Sequence, residues 1–223
     1  KPPLTIRGDN PLAGISYEMP HASAQVKSCL LLAGMYAQGE TTVIEPGLTR
    51  DHTERLLTTF SYPIQKAESS IVISSEHECM GTDVIVPGDI SSAAFFIVAA
   101  TIVPGADLLI RNVGINSTRV GILQILKLMG ADITLTNKRL CGEEPVADLH
   151  VKYAPLEGID IPMSLVPLAI DEFPIIFIAA SCAKGKTKLQ GARELRVKES
   201  DRIAVMVEGL QILGIDAISL DDG

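Results

Sequence analysis

One pattern occurs three times along the chain and limits its fold more than any other feature. A polar cap opens an apolar helical run, a glycine closes it, and a short strand follows. An amphipathic helix and a further strand complete the unit. The apolar runs open at Ser23, Ser91 and Asp171 and close at Gly39, Gly105 and Gly185, which lie 16, 14 and 14 residues on. The amphipathic helices are expected over residues 51–60 (Leu56, Leu57 and Phe60 inward), 118–129 and 198–213. Strands are expected over residues 4–6, 14–19, 41–44, 71–73, 108–110, 133–135 and 187–189. Repetition at this period means a supersecondary unit used several times. A helix that is apolar on nearly all sides has to lie inside, covered by other elements. Helices within and sheets outside are therefore expected, although an ordinary open α/β sheet also satisfies the periodicity.

The composition narrows the partners. The formal net charge is −8, Trp is absent and only 4% of residues are aromatic. A nucleic-acid binder needs a basic surface and stacking platforms, so neither DNA nor RNA is an expected partner. Small anionic substrates stay possible, because a local cluster of Lys and Arg acts inside an acidic protein. Cys29, Cys79, Cys141 and Cys182 are scattered without a Cys-x-x-Cys spacing. No metal site or redox pair is expected, and the pattern suits a reducing cytoplasm. Cys29 and Cys182 fall in apolar helical runs and are expected in the core. No uncharged apolar run approaches the roughly 20 residues needed to cross a bilayer.

The densest charge lies in residues 194–202, Glu-Leu-Arg-Val-Lys-Glu-Ser-Asp-Arg, with six charges in nine residues between two apolar runs. A helix over 198–213 would stack Lys198 and Arg202 one turn apart, with Glu199 beside Arg202. A helix N-terminus rich in cations suits an anion, and a solvated face with capping charges fits the same residues. Ser23-Ala24-Gln25 raises the same choice between an ordinary N-cap and a phosphate seat. Asp171 is equally readable as a cap or as a functional acid.

The string Arg196-Val197-Lys198-Glu199-Ser200-Asp201-Arg202 resembles a signature of the 5-enolpyruvylshikimate-3-phosphate synthase family. Ser23 to Ser28 (Ser-Ala-Gln-Val-Lys-Ser) and Thr49 to Glu54 (Thr-Arg-Asp-His-Thr-Glu) are similar to a bacterial variant of it. Pro87-Gly88-Asp89-Ile90-Ser91-Ser92 resembles the segment where that family crosses between domains. The matches extend over nearly the whole chain. The resemblance implies an inside-out α/β barrel fold, repeated βαβαββ units with buried helices and outer sheets, in two domains. Residues 1–86 would be part of the shikimate 3-phosphate domain, and residues 87–223 part of the second domain. It implies transfer of the enolpyruvyl group from phosphoenolpyruvate to the 5-hydroxyl of shikimate 3-phosphate, in the shikimate pathway of aromatic amino acid biosynthesis. It implies no cofactor and a monomer at full length.

Carried over residue by residue, the resemblance assigns Ser23, Ala24 and Gln25 to shikimate 3-phosphate and Arg50 to its phosphate. Asp171 becomes the base at the 5-hydroxyl, and Lys198 reaches that hydroxyl and the reacting centre. Glu199 becomes the acid at the methylene carbon of phosphoenolpyruvate, and Arg202 the grip on its carboxylate. These types suit an addition to a C=C bond followed by elimination of phosphate. Ser91-Ser92 and residues 116–119 occupy equivalent positions in the second unit and are expected to be structural caps. Ser117 stands where the family has Pro, His21 where it often has Met, and Tyr62-Pro63 where it has Gly-Ala. The last change leaves that turn's geometry open.

The family also uses a Gly-Asp-Lys-Ser-x-Ser-His-Arg segment, an Asn-(Ser/Ala)-Gly-Thr loop and a late Asp-His-Arg, none of which occurs in this sequence. The expectation is therefore a central fragment that does not turn over substrate alone. Two alternatives share the fold. UDP-N-acetylglucosamine enolpyruvyl transferase is not expected to carry the Arg196–Arg202 string. A non-catalytic repeat scaffold should not respond to shikimate 3-phosphate.

Overall fold

The computed structural model describes residues 3–8 and 11–223. The chain divides into two units, Lys1–Val84 and Ile85–Gly223.

In the first unit the order is β1 (Ser16–Glu18), α1 (Ala24–Gly34), β2 (Glu40–Ile44), α2 (His52–Thr59), β3 (Gln65–Lys66) and β4 (Ser70–Ser74). That is one βαβαββ unit. The sheet order is β1-β2-β4-β3, with β1 parallel to β2 and the other pairs antiparallel. Strand alternation sends Thr41, Val43, Ile71 and Ile73 inward, where they meet Leu31 of α1 and Leu57 of α2. Gly34 lets α1 sit close on this sheet: a Cβ there would lie 2.7 Å from Ile73 Cγ2 and 2.9 Å from Thr41 Cβ. Tyr62 turns into the core, its hydroxyl donating to Ser74 O at 2.6 Å, after Ser61 takes a left-handed φ of 57°. This is how the chain makes the turn at Tyr62-Pro63.

The second unit contains α3 (Ile90–Ile102), β5 (Asp107–Gly114), α4 (Gly121–Leu128), β6 (Asp132–Cys141) and β7 (Glu144–Lys152). A parallel bridge from Gly88 to Val113 stands where the first strand of a βαβαββ unit would be. The sheet is antiparallel in the order β5-β7-β6. Two short 3-10 turns, Met163–Leu165 and Pro167–Ala169, then lead into α5 (Phe173–Ser181), and α6 (Arg202–Ile212) is the last helix of the unit. Helix α3 packs on both the sheet and α5, so helices occupy the inside of this unit. Ala94, Ile97, Ile122, Ile125, Leu126, Leu149, Phe173 and Ile176 form its dry centre.

Several expectations are corrected. The apolar helices are not covered all round within their units: Val26 and Leu32 on α1 are exposed, as are Phe95 and Phe96 on α3. Apolar composition marks surface available for burial, and neighbouring elements decide how much of it is covered. For the same reason Cys29 and Cys182 are exposed rather than core thiols. Leu56 also faces out, and the buried partner of Leu57 on α2 is Glu54. Residues 4–6 form no strand, with Leu4 and Ile6 exposed. The expected strand at 187–189 is reduced to bridges pairing Lys184 with Glu157 and Lys188 with Asp160. The cap of α3 is Asp89, which accepts from Ser92 N at 2.9 Å, rather than Ser91 or Ser92.

Candidate active site

Helix α6 starts four residues later than the charge pattern implies. Asp201 is its N-cap, accepting from Ala204 N at 2.9 Å, and Arg202 is its first residue. The Ala204 N–H and the Arg196 guanidinium outweigh the modest desolvation and hold the Asp201 carboxyl below the usual carboxylate range. Lys198 ends the preceding 3-10 turn (Arg193–Val197) in an extended conformation. Lys198 and Arg202 therefore do not stack on one helix face. Lys198 instead pairs with Glu194. An Asp that caps α6 with its side chain defines the helix start more strongly than the preceding charges do.

Arg202 is the centre of the cluster. One guanidinium nitrogen, Nη2, donates to Glu199 Oε2 at 2.8 Å, and Nη1 reaches Asp171 Oδ1 at 3.4 Å. Two of the acids named from the sequence, 28 residues apart in the chain, thus meet on one cation. The Glu199 carboxyl is held below its ordinary range by its own backbone N–H and then by Arg202. Asp171 is not the cap of α5. Glu172 takes that position without a side-chain capping bond, and Asp171 is left half-exposed toward Arg202.

Glu172 and Arg119 form a second polar group that the sequence reading missed. Glu172 is only 3% exposed and accepts from Ser91 Oγ. Arg119 Nη2 donates to Ser91 Oγ at 2.5 Å and pairs with Asp89 at 3.0 Å. Burial opposes the Asp89 charge, but the Ser92 N–H and Arg119 outweigh it and keep that carboxyl below the usual range. Ser91 and Arg119 thus link the starts of α3 and α5, and Glu172 adjoins Asp171. The signal was present as a lone Arg after Asn116-Ser117-Thr118, but its partners lie far away in sequence. Asn116 does not cap α4, whose cap position is Val120 without a side-chain bond; its Oδ1 accepts from Thr118 N at 2.9 Å and closes the turn before the helix.

In the first unit Ser23 caps α1, accepting from Val26 N at 3.3 Å and donating to Gln25 Oε1 at 3.4 Å. Ala24 and Gln25 form the first turn of α1, so their backbone N–H groups point out of the helix start. Arg50 lies in the connection from β2 to α2 and is half-buried. Among the described residues, no three His, Cys, Asp or Glu side chains cluster so as to hold a metal ion. None of their helices is long and apolar enough to cross a membrane.

Repeated α/β units whose helices pack on their sheets are the architecture of the enolpyruvyl transferase fold. The chain shares it with the enolpyruvyl transferase NikO from Streptomyces tendae, at a TM-score of 0.57 and 20% identity over 72% of this chain and 37% of that one. More particularly, residues 1–223 match the sequence profile of EPSP synthase (3-phosphoshikimate 1-carboxyvinyltransferase), and the chain belongs to that family. It is 66% identical over 223 residues to the 3-phosphoshikimate 1-carboxyvinyltransferase of Legionella pneumophila (strain Paris), covering 100% of this chain and 52% of that protein. It is 59% identical over 221 residues to the protein of that name from Alkalilimnicola ehrlichii, covering 99% and 50%. The structure of EPSP synthase from Acinetobacter baumannii superposes with a TM-score of 0.92 at 56% identity, covering 100% of this chain and 50% of that one. The chain thus spans about half the length of these relatives.

Proposed function

We propose that this chain supplies part of the active site of an enzyme that transfers the enolpyruvyl group of phosphoenolpyruvate to the 5-hydroxyl of shikimate 3-phosphate. The observation that carries this reading is the guanidinium of Arg202 held between Asp171 and Glu199. A planar fork that already satisfies two carboxylates is suited to accept the carboxylate of phosphoenolpyruvate in their place.

The chemistry follows from that exchange. When a substrate carboxylate takes Arg202, Glu199 loses a cation that holds its carboxyl down, and its affinity for a proton rises. Glu199 can then carry the proton that goes to the methylene carbon of phosphoenolpyruvate. Asp171 accepts the proton of the 5-hydroxyl as its oxygen bonds to the central carbon. Glu199, left ionised by that transfer, takes a proton back from the new methyl group as the C–O bond to phosphate breaks, which restores the double bond. Lys198, free to leave the exposed Glu194, supplies a cation near the oxygen that attacks. Ser23, Ala24, Gln25 and Arg50 bind shikimate 3-phosphate, the phosphate favoured by helix-start N–H groups and a guanidinium.

The test is steady-state phosphate release by a full-length chain carrying this sequence, with each substrate varied in turn. Turnover that needs both substrates is expected. Binding of shikimate 3-phosphate without any turnover would favour a binding module instead.

A further inference from the structure

Lys27 is the most deeply buried charged residue among those described, at 1% exposure, two residues past Gln25 on α1. Its ammonium lies 2.8 Å from Glu54 Oε1 and 3.1 Å from Glu45 Oε1. Neither Glu54 oxygen meets hydrogen-bond geometry, so that contact acts as an ion pair rather than a directed bond. Glu45 directly follows β2, and Glu54 lies in the first turn of α2. The two acids therefore bracket the connection that carries Arg50, and one cation holds both of its ends. Thr49 Oγ1 donates to the same Glu45 Oε1 at 2.5 Å, which fixes the residue next to Arg50. A bond of 2.6 Å between Ser28 Oγ and Thr53 Oγ1 ties α1 to α2 alongside.

Burying an ammonium and two carboxylates is costly, and apolar residues of similar size at positions 27, 45 and 54 together would fill the same space without it. What the ion cluster adds is a fixed distance between the start of α1 and the connection after β2. We propose that Lys27 is a positioning residue for shikimate 3-phosphate: through Glu45, Thr49 and Glu54 it sets Arg50 relative to Ser23, Ala24 and Gln25. This rests on the assignment of those residues to that substrate. It gives the buried cluster a role in affinity as well as in folding, because a phosphate held from two elements needs their spacing defined to a fraction of an ångström.

The experiment uses a full-length chain and measures KM for each substrate, kcat and Tm. Lys27→Met should raise KM for shikimate 3-phosphate on the order of tenfold and lower Tm, with KM for phosphoenolpyruvate and kcat held within about twofold. Thr49→Val leaves both ion pairs in place. It should raise the same KM several-fold at unchanged Tm, and it decides the matter if Lys27→Met does not fold. A fall in Tm for Lys27→Met with KM for shikimate 3-phosphate unmoved in both variants would overturn the proposal. Arg50→Ala run in parallel separates the two levels. If it too leaves that KM unchanged, the assignment of Arg50 is what fails. If it raises KM while the other two do not, only the positioning role is lost.

Discussion

Replacing Arg202 by Lys keeps the charge and removes the fork, so it isolates the feature on which the functional reading depends. In the structure the two terminal nitrogens reach separate acids, Glu199 at 2.8 Å and Asp171 at 3.4 Å. One ammonium cannot reproduce that span or bind both oxygens of a substrate carboxylate in one plane. The loss is about one charge-assisted hydrogen bond, roughly 1.5–3 kcal/mol. Expressed in kcat/KM for phosphoenolpyruvate, that is a fall of roughly 10- to 150-fold. Stability should scarcely change. The Glu199 side chain is 82% exposed, and solvent-screened pairs of this kind contribute little to stability. The assay is phosphate release at saturating shikimate 3-phosphate with phosphoenolpyruvate varied, beside a thermal melt. An unchanged kcat/KM would remove Arg202 from the substrate carboxylate. A fall matched by a large drop in Tm would make Arg202 a structural tie.

Three further outcomes are expected. Asp171→Asn should lower kcat by about a hundredfold or more while binding of shikimate 3-phosphate, read by calorimetry, changes little, because an amide cannot take the hydroxyl proton; activity within a few-fold of the parent would place the base elsewhere. Arg202→Ala should move the Glu199 titration midpoint, followed by carboxylate NMR, up toward the ordinary Glu value, since removing a cation favours the protonated form; a midpoint that stays put would mean that the backbone N–H alone depresses it. The linkage has a matching sign: a depressed carboxylate adds stability above its unfolded pKa and loses it as pH falls through the folded pKa, so parent and Arg202→Ala melts should converge on acidification. Gly121→Ala should destabilise the protein by about 1–3 kcal/mol, because its Cβ would lie 2.6 Å from Leu168 C and 2.8 Å from Ala169 N, backbone that cannot rotate away; an unchanged melt would show that the turn leading to Asp171 yields freely.

The helix–glycine–strand order was legible because each break has a local cause. Gly39, Gly105, Gly130, Gly185 and Gly214 all take positive φ, between 79° and 98°, where other residues are strained. The strand β7 was not legible. Its residues 146–149 are all buried, on both faces of the strand, so the alternation of a half-buried strand is missing. Asp148 breaks its apolar run, yet it serves the sheet by accepting from Asn112 N at 2.8 Å and Asn137 Nδ2 at 2.9 Å beside the bulges of β5 and β6. At the candidate site the pairing of Glu199 with Arg202 was expected from helical spacing, and it forms although Glu199 lies before the helix. The meeting of Arg202 with Asp171 did not, since it crosses 31 residues. Lys27, Glu45 and Glu54 were not singled out from the sequence, because no local rule says that an ammonium will be enclosed by acids from two other elements. The placing of Lys198 depended on where α6 begins, which a single capping Asp decided.

The central claim is that the acids on Arg202 belong to an enolpyruvyl transfer site. Phosphorus NMR of a full-length chain carrying this sequence, mixed with phosphoenolpyruvate and shikimate 3-phosphate, tests it most directly. The account predicts that the phosphoenolpyruvate resonance decays as inorganic phosphate and a new phosphate monoester grow in equal amounts, only when both substrates are present, and that Asp171→Asn slows both together. Phosphate release with UDP-N-acetylglucosamine but not with shikimate 3-phosphate, or no change in any resonance from the unmutated chain, would contradict it.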